Sequence, residues 1–184
     1  MTITVAITGA SGVQYGVRLL EVLSQLGVGT QLVMTKSGQE LLGIETDYSL
    51  NYVMSLANRT YDETDLTAPI ASGSHISDGM VIIPCSVKTL GSIAHGVSSN
   101  LVIRAADVCL KERRRLILVV RETPLNAIHL DNMLTLSRCG VIIMPASPGF
   151  YTRPATIEEL IDVLIARVLD LLQLKHSVSR RWGD

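Results

Sequence analysis

Five short apolar runs punctuate the chain, at Ile3–Ile7, Gln31–Thr35, Met80–Ile83, Leu116–Val120 and Val141–Met144. They are rich in β-branched residues, nearly uncharged, and do not alternate with polar positions. That is the pattern of parallel strands covered on both faces. Between them, apolar residues recur at helical spacing. Val13, Val17, Leu20, Leu23 and Leu26 share one face of a helix that Gly27 stops. Leu101–Lys111, Leu125–Leu136 and Ile157–Leu174 read the same way. Strands separated by helical segments call for right-handed crossovers, so the predicted fold class is α/β, a three-layer, doubly wound parallel sheet. With no internal repeat and no low-complexity linker, residues 1–184 read as a single domain. The polar stretch Asn58–Ser77, with Pro69 and Ser72-Gly73-Ser74, is predicted to be a long loop that contacts a ligand or a second subunit.

Composition changes this picture in one respect. Hydrophobic residues make up 47% of the chain and charged ones 18%, and mean hydropathy is +0.35. Either a membrane or partner subunits must take up that excess. The charge-free stretch from Thr89 to Ile103 is interrupted by His95, Ser98, Ser99 and Asn100. It also falls short of the roughly 20 apolar residues of a spanning helix. A homo-oligomer with apolar interfaces is the better reading. A formal net charge of −1 gives no case for nucleic acid or an anionic membrane. The cluster Lys111-Glu112-Arg113-Arg114-Arg115 reads as a solvated helix end. The first residues lack the cationic start of a signal peptide. Cys85, Cys109 and Cys139 form no CxxC pair. They read as small core residues of a cytoplasmic protein rather than as disulfides or a zinc site.

In such sheets ligands sit beyond the carboxyl ends of the strands, near the point where strand order reverses. After the first strand comes Thr8-Gly9-Ala10-Ser11-Gly12, a turn whose glycines let backbone approach a phosphate at a helix N-terminus. Two dinucleotide signatures fail here. GxGxxG needs glycine at position 11, where Ser11 stands. TGxxxGxG needs glycines where Val13 and Tyr15 stand, and no YxxxK occurs. After the second strand, Thr35-Lys36-Ser37 places hydroxyls and a cation at a strand end, and after the third, Pro84-Cys85-Ser86-Val87-Lys88-Thr89 repeats the theme at a helix start. Each alone reads as an N-cap, and together they suggest a polar cradle for one phosphorylated cofactor. After the fourth strand, Arg121 and Glu122 either pair with each other or work. Arg104, Lys111, Arg121 and Arg167 stand in otherwise apolar segments and suit an anionic substrate. After the fifth, Pro145–Pro154 reads as an ordered loop able to cover a site, with Phe150 as an anchor and Tyr151 keeping a polar tip.

The stretches GASGVQYGVRLLEVL, ETD at Glu45–Asp47, ASGS at Ala71–Ser74, PCSVKTL, RAADVCLKERR, VVRETPL, HLDNMLTLS, PASPGFYTRP and the terminal RWGD resemble the UbiX-type flavin prenyltransferases, in order and over essentially the whole chain. The resemblance implies a flavodoxin-like, Rossmann-like fold that binds FMN. It implies transfer of a dimethylallyl group from dimethylallyl monophosphate to N5 and then C6 of reduced FMN. The product, prenylated FMN, would serve a UbiD-type decarboxylase, and the assembly would be a dodecamer with sites at subunit junctions. Carried over by motif, Gly9, Ala10, Ser11, Thr35, Ser86, Val87, Lys88, Thr89 and Arg121 would contact FMN. Tyr151, Arg167, Arg104 and Lys111 would hold the prenyl phosphate. Glu45 and Glu122 would be the acid/base carboxylates, with Ser11 and Lys111 also in the catalytic set. Thr152 stands where the family commonly has histidine, Arg115 where it has proline, and Thr35 where serine is more frequent.

The chemistry agrees with that assignment. Leaving phosphate must be stabilised while an allylic cation forms beside a nucleophilic nitrogen. Diphosphate-using enzymes recruit Mg²⁺ through motifs such as DDxxD, which this chain lacks. Arg and Lys supply the same stabilisation, so a metal-independent reaction is expected. Glu122 would protonate the leaving phosphate where burial raises its pKa. Two other readings share the fold. An FMN-dependent cysteine decarboxylase would carry a PASANT-type segment in place of PCSVKTL and a catalytic histidine; His75, His95, His129 and His176 lie outside such a motif. A flavin-binding electron carrier would be acidic and aromatic, whereas aromatics are 4% of this nearly neutral chain.

Overall fold

A computed structural model describes residues 1–183. Six parallel strands form one sheet: β1 (Thr2–Ile7), β2 (Gly29–Met34), β3 (Arg59–Tyr61), β4 (Gly79–Cys85), β5 (Arg115–Val120) and β6 (Ile142–Pro145), in the order β3-β2-β1-β4-β5-β6. The helices are α1 (Val13–Gln25), α2 (Lys36–Glu45), α3 (Leu50–Ser55), α4 (Val87–Ala94), α5 (Leu101–Lys111), α6 (Ala127–Arg138) and α7 (Ile157–Leu171). Strand alternation feeds two separate cores. Ile3, Val5, Ile7, Val81, Ile83, Ile117 and Val119 point to the side covered by α1 and α7. Ala6, Met80, Ile82, Leu116, Leu118 and Val120 point to the side covered by α4, α5 and α6. Both faces are dry, which is why these strands read as unbroken apolar runs.

The doubly wound sheet is as predicted, and each of the five expected strands forms within two residues of its expected bounds. The stretch Asn58–Ser77 is the correction: it is not a plain loop. It contains β3, a sixth strand that pairs with β2 from Gln31↔Arg59 to Val33↔Tyr61, and a 3₁₀ turn at Pro69–Ala71. A three-residue edge strand with an exposed, polar start carries too little apolar signal to be seen in sequence. Without β3, the order reduces to the 2-1-3-4-5 arrangement of flavodoxin-like sheets. The chain leaves β1 outward through β2 and returns to β4 on the other side. The strand order therefore reverses between β1 and β4.

Helix ends follow the residues that the sequence offers. Gly27, at φ 68°, terminates α1 in the left-handed conformation that glycine adopts most readily. Gly16 lies in the middle of α1 because a Cβ there would meet the Ile83 carbonyl oxygen at 2.5 Å. That close approach seats α1 directly on the β1–β4 seam. Among the described residues no helix is long and apolar enough to cross a membrane.

Candidate functional site

At the β1–β4 seam a single hydroxyl fixes the geometry. Thr8, 1% exposed, donates its Oγ1 to the Pro84 carbonyl at 2.8 Å and accepts the Ser86 N–H at 2.9 Å. The β4–β5 register shifts in the same place, between Ile82 and Cys85, and the Thr8 side chain reinforces the single backbone bond from the Thr8 N–H to the Pro84 carbonyl at 3.3 Å. The turn that follows packs against the start of α2. A Cβ on Gly9 would lie 2.5 Å from the Ser37 Cβ, so only glycine fits there without movement. Gly12 has φ 101° and offers α1 no side-chain cap. Glu45 supplies one from a distance: its Oε2 accepts the Gly12 and Val13 amides at 2.8 and 3.2 Å, as a carboxylate at a helix N-terminus should.

Between the ends of β1, β2, β4 and β5 lies a cleft of about 460 Å³. It gathers Gly9, Ala10, Ser11, Thr35, Ser86, Val87, Lys88, Thr89, Arg121 and Glu122, ten of the residues singled out in the sequence. Thr35 and Ser86 also cap their helices: Thr35 accepts the Gly38 amide at 3.1 Å, and Ser86 accepts the Thr89 amide at 3.2 Å. Among the described residues Arg121 and Glu122 form no ion pair with each other or with a third group. Glu122 instead accepts the Thr123 amide at 2.9 Å. Arg121 stands near Tyr15: burial pushes that phenol above its ordinary range, and the Arg121 charge opposes the shift.

The cleft also holds Ser37, Leu41, Glu63, Ser99, Asn100 and Ile103. Glu63 is the one that sequence reasoning passed over with most consequence. Its Oε1 accepts the Lys36 amide at 2.6 Å and its Oε2 the Asn100 side-chain amide at 2.8 Å. Its carbonyl accepts the Leu101 amide at 2.7 Å. One residue thus ties the start of α2 to the start of α5. Its location in the Asn58–Ser77 stretch was the available signal, since that stretch was expected to touch a ligand.

Five of the expected site residues lie elsewhere in the chain. Glu45 sits outside the cleft, behind the glycine turn. Arg104 donates its Nε to the Ala71 carbonyl at 3.0 Å and pairs with Asp107 at 2.8 Å. Lys111 pairs with its neighbour Glu112. Lys111 ends α5, which starts at the cleft and runs eleven residues, about 16 Å, back along the sheet. Tyr151 and Arg167 line a separate depression with Asp170, His176 and Trp182. There Arg167 pairs with Asp170 at 2.8 Å, and the Tyr151 and Trp182 rings meet edge to face at 5.4 Å. Thr152 Oγ1 is buried without a hydrogen-bond partner. Among the described residues no group of three or more His, Cys, Asp or Glu is placed to hold a metal ion.

Comparison with known proteins agrees with this geometry. The Flavoprotein family profile matches residues 1–178. The flavin prenyltransferase UbiX of Thermoplasma acidophilum is 47% identical over 182 residues, covering 99% of this chain and 100% of that protein. The crystal structure of AnUbiX (PadA1) in complex with FMN and dimethylallyl pyrophosphate superposes with a TM-score of 0.98 at 46% identity, over 100% of this chain and 97% of the other. A dodecameric FMN-dependent UbiX-like decarboxylase from Escherichia coli O157:H7 gives the same TM-score, 0.98, at 47% identity over all of both chains. The peptidyl-cysteine decarboxylase EpiD, at 16% identity and a TM-score of 0.66 over 94% of this chain and 98% of that one, shares the fold alone. The chain belongs to the Flavoprotein family and, within it, to the UbiX-type flavin prenyltransferases.

Proposed function

We propose that this chain transfers a dimethylallyl group from dimethylallyl monophosphate to N5 and then C6 of reduced FMN, making prenylated FMN for a UbiD-type decarboxylase. The observation that carries the reading is the cleft at the strand-order reversal, in a chain 47% identical to a flavin prenyltransferase over nearly its full length. The residues present fit FMN. Ser86 caps α4 and, among the described residues, leaves the Val87 and Lys88 amides without backbone partners at the cleft wall. Such a helix start binds a phosphate, and Arg121 adds a cation. Gly9 and Ala10 let backbone approach closely, while Leu41, Val87 and Ile103 provide apolar surface for a flat ring system.

Reduced FMN supplies the nucleophilic nitrogen when bound, and the chain must do the rest. Arg104, Lys111, Arg167 and the Tyr151 hydroxyl would neutralise the departing phosphate, placing positive charge where negative charge develops. Glu122 at the cleft wall would protonate that phosphate, and Glu45 and Ser11 would handle protons beside the flavin. One protomer does not bring all of these together, so the reading includes neighbouring copies that deliver Lys111, Tyr151 and Arg167 to the cleft. The dodecameric E. coli relative supports this. So do the exposed apolar residues of α6, among them Ile128, Leu130 and Leu134. The chain acting as one flavoprotein domain and working in the cytoplasm without a metal belong to the same reading.

The test is incubation with reduced FMN and dimethylallyl monophosphate. Flavin that gains the mass of one prenyl unit supports the reading. Unchanged flavin that exchanges electrons with a partner contradicts it and points to a carrier; decarboxylation of a cysteine-ended peptide points to the decarboxylase group.

A further inference from the structure

Four helices, α1, α2, α4 and α5, begin at or beside the cleft. The first amide of each is an unused donor unless a group outside the helix accepts it. In three of the four, an acidic residue does. Glu45 Oε2 accepts the Val13 amide of α1 at 3.2 Å. Glu63 Oε1 accepts the Lys36 amide of α2 at 2.6 Å, and the Glu63 carbonyl accepts the Leu101 amide of α5 at 2.7 Å. Among the described residues the Val87 amide of α4 has no such partner. Glu63 therefore occupies two of the four starts. Its Oε2 accepts the Asn100 side-chain amide at 2.8 Å, so both oxygens act as acceptors, as those of an ionised carboxylate do. The residue is half-buried and lines the same cleft as Val87 and Lys88. Glu122, the other carboxylate of the cleft, accepts the amide of the residue that follows it and occupies no helix start.

We infer that Glu63 is a specificity-determining residue: its carboxylate leaves the cleft a seat for one phosphate and rejects flavins that carry a second, such as FAD. The inference deepens the proposed function and rests on FMN occupying this cleft. FMN ends in a single phosphate, which the start of α4 and Arg121 can take. In FAD that phosphate continues through a second one to adenosine. The second phosphate finds the starts of α2 and α5 already occupied and meets a fixed negative charge. In a partly desolvated cleft, like charges repel more strongly than they do in water. A carboxylate drawn to a helix N-terminus by its dipole thus competes with the ligand for the same attraction. The sequence offers no local sign of this, because the carboxylate, the α2 start and the α5 start come from three separate stretches of chain.

The experiment titrates the full-length protein, stripped of flavin, with FMN, FAD and riboflavin, and reads binding from the flavin fluorescence. The parent is compared with Glu63→Gln and Glu63→Asp. Glutamine keeps the side-chain length, an oxygen for the Lys36 amide and the backbone bond to Leu101, and removes the charge. The parent should bind FMN at least about tenfold more tightly than FAD, and Glu63→Gln should tighten FAD roughly tenfold. FMN and riboflavin should change far less, and Glu63→Asp, which keeps the charge, should go on rejecting FAD. A parent that binds FAD as tightly as FMN overturns the inference and leaves the function intact. So does a Glu63→Gln protein whose FAD affinity is unchanged, or whose FMN and FAD affinities rise equally. Equal gains in FAD affinity for Glu63→Asp and Glu63→Gln overturn it too, since the tie between the helices and not the charge would then be responsible. A parent that binds no FMN overturns the reading of the cleft on which the inference stands.

Discussion

Thr8→Val is the sharpest test of how the cleft is built. Valine has the shape of threonine, so the substitution removes one hydroxyl from a site 1% exposed and disturbs no packing. The Ser86 N–H, held at 2.9 Å, loses its acceptor, and an unsatisfied buried donor costs about 1–3 kcal/mol. The Pro84 carbonyl loses its 2.8 Å bond but keeps the Thr8 amide at 3.3 Å, which adds about 1 kcal/mol at most. The extra buried methyl returns about 0.8 kcal/mol. The balance is a loss of about 2 kcal/mol. In a chain of this size that lowers the unfolding midpoint by roughly 4–8 °C. Thermal melts without flavin, at one fixed protein concentration because subunit association contributes to stability, read the effect. FMN affinity should fall as well, because the turn at Gly9 and the α4 start at Ser86 are no longer held at one spacing. Thr8→Ser keeps the hydroxyl and should retain FMN affinity. A Thr8→Val protein that melts within about 1 °C of the parent and binds FMN equally well refutes the reasoning, since a lost buried bond cannot be that small.

Glu122→Gln keeps the size and the bond to the Thr123 amide but removes the titratable proton. Bound FMN with prenyl transfer slowed about a hundredfold, in the range of general acid catalysis, is expected in single-turnover assays, and undiminished turnover counts against the role. Arg167→Ala should weaken the prenyl donor more than FMN in paired titrations; an equal loss of both contradicts the assignment. Asp170 gives a pH prediction. Burial pushes its carboxyl up, but hydrogen bonds from Arg181 and His176 outweigh it and hold the pKa below the usual carboxylate range. A depressed folded pKa means that the contribution to stability is present above the unfolded value, about 3.9, and is lost as pH falls through the folded one. The segment reaching Trp182 should detach below about pH 4, and Asp170→Asn should detach it at neutral pH. Fluorescence of the chain's single tryptophan reports both, and an unchanged signal in Asp170→Asn contradicts the role.

What could be read in advance depended on how far apart the cooperating residues lie. Strands covered on both faces leave uninterrupted apolar runs, so β1, β2, β4, β5 and β6 were legible. The turns that follow them were legible too, because hydroxyls and glycines at strand ends have local causes. Thr35 and Ser86 are N-caps as well as cleft walls, and both readings of those hydroxyls hold at once. β3 and α3 were not legible: they are three and six residues long, with little apolar periodicity. Glu63 was missed because its partners, Lys36 and Asn100, are 27 and 37 residues away. Arg121 beside Glu122 suggested a local salt bridge, and among the described residues the two form none. Lys111 and Arg167 stood out as cations in apolar segments and Tyr151 as a polar tip in the last loop, motif resemblance gave them their roles, and a single chain does not bring them to the cleft.

The central claim is that this cleft prenylates a flavin. The direct measurement is mass spectrometry of the flavin recovered after anaerobic incubation of the protein with reduced FMN and dimethylallyl monophosphate in the presence of EDTA. The account predicts flavin heavier by one prenyl unit, formed by the parent protein and formed far more slowly by Glu122→Gln. Flavin of unchanged mass from protein that binds both FMN and the donor would contradict it.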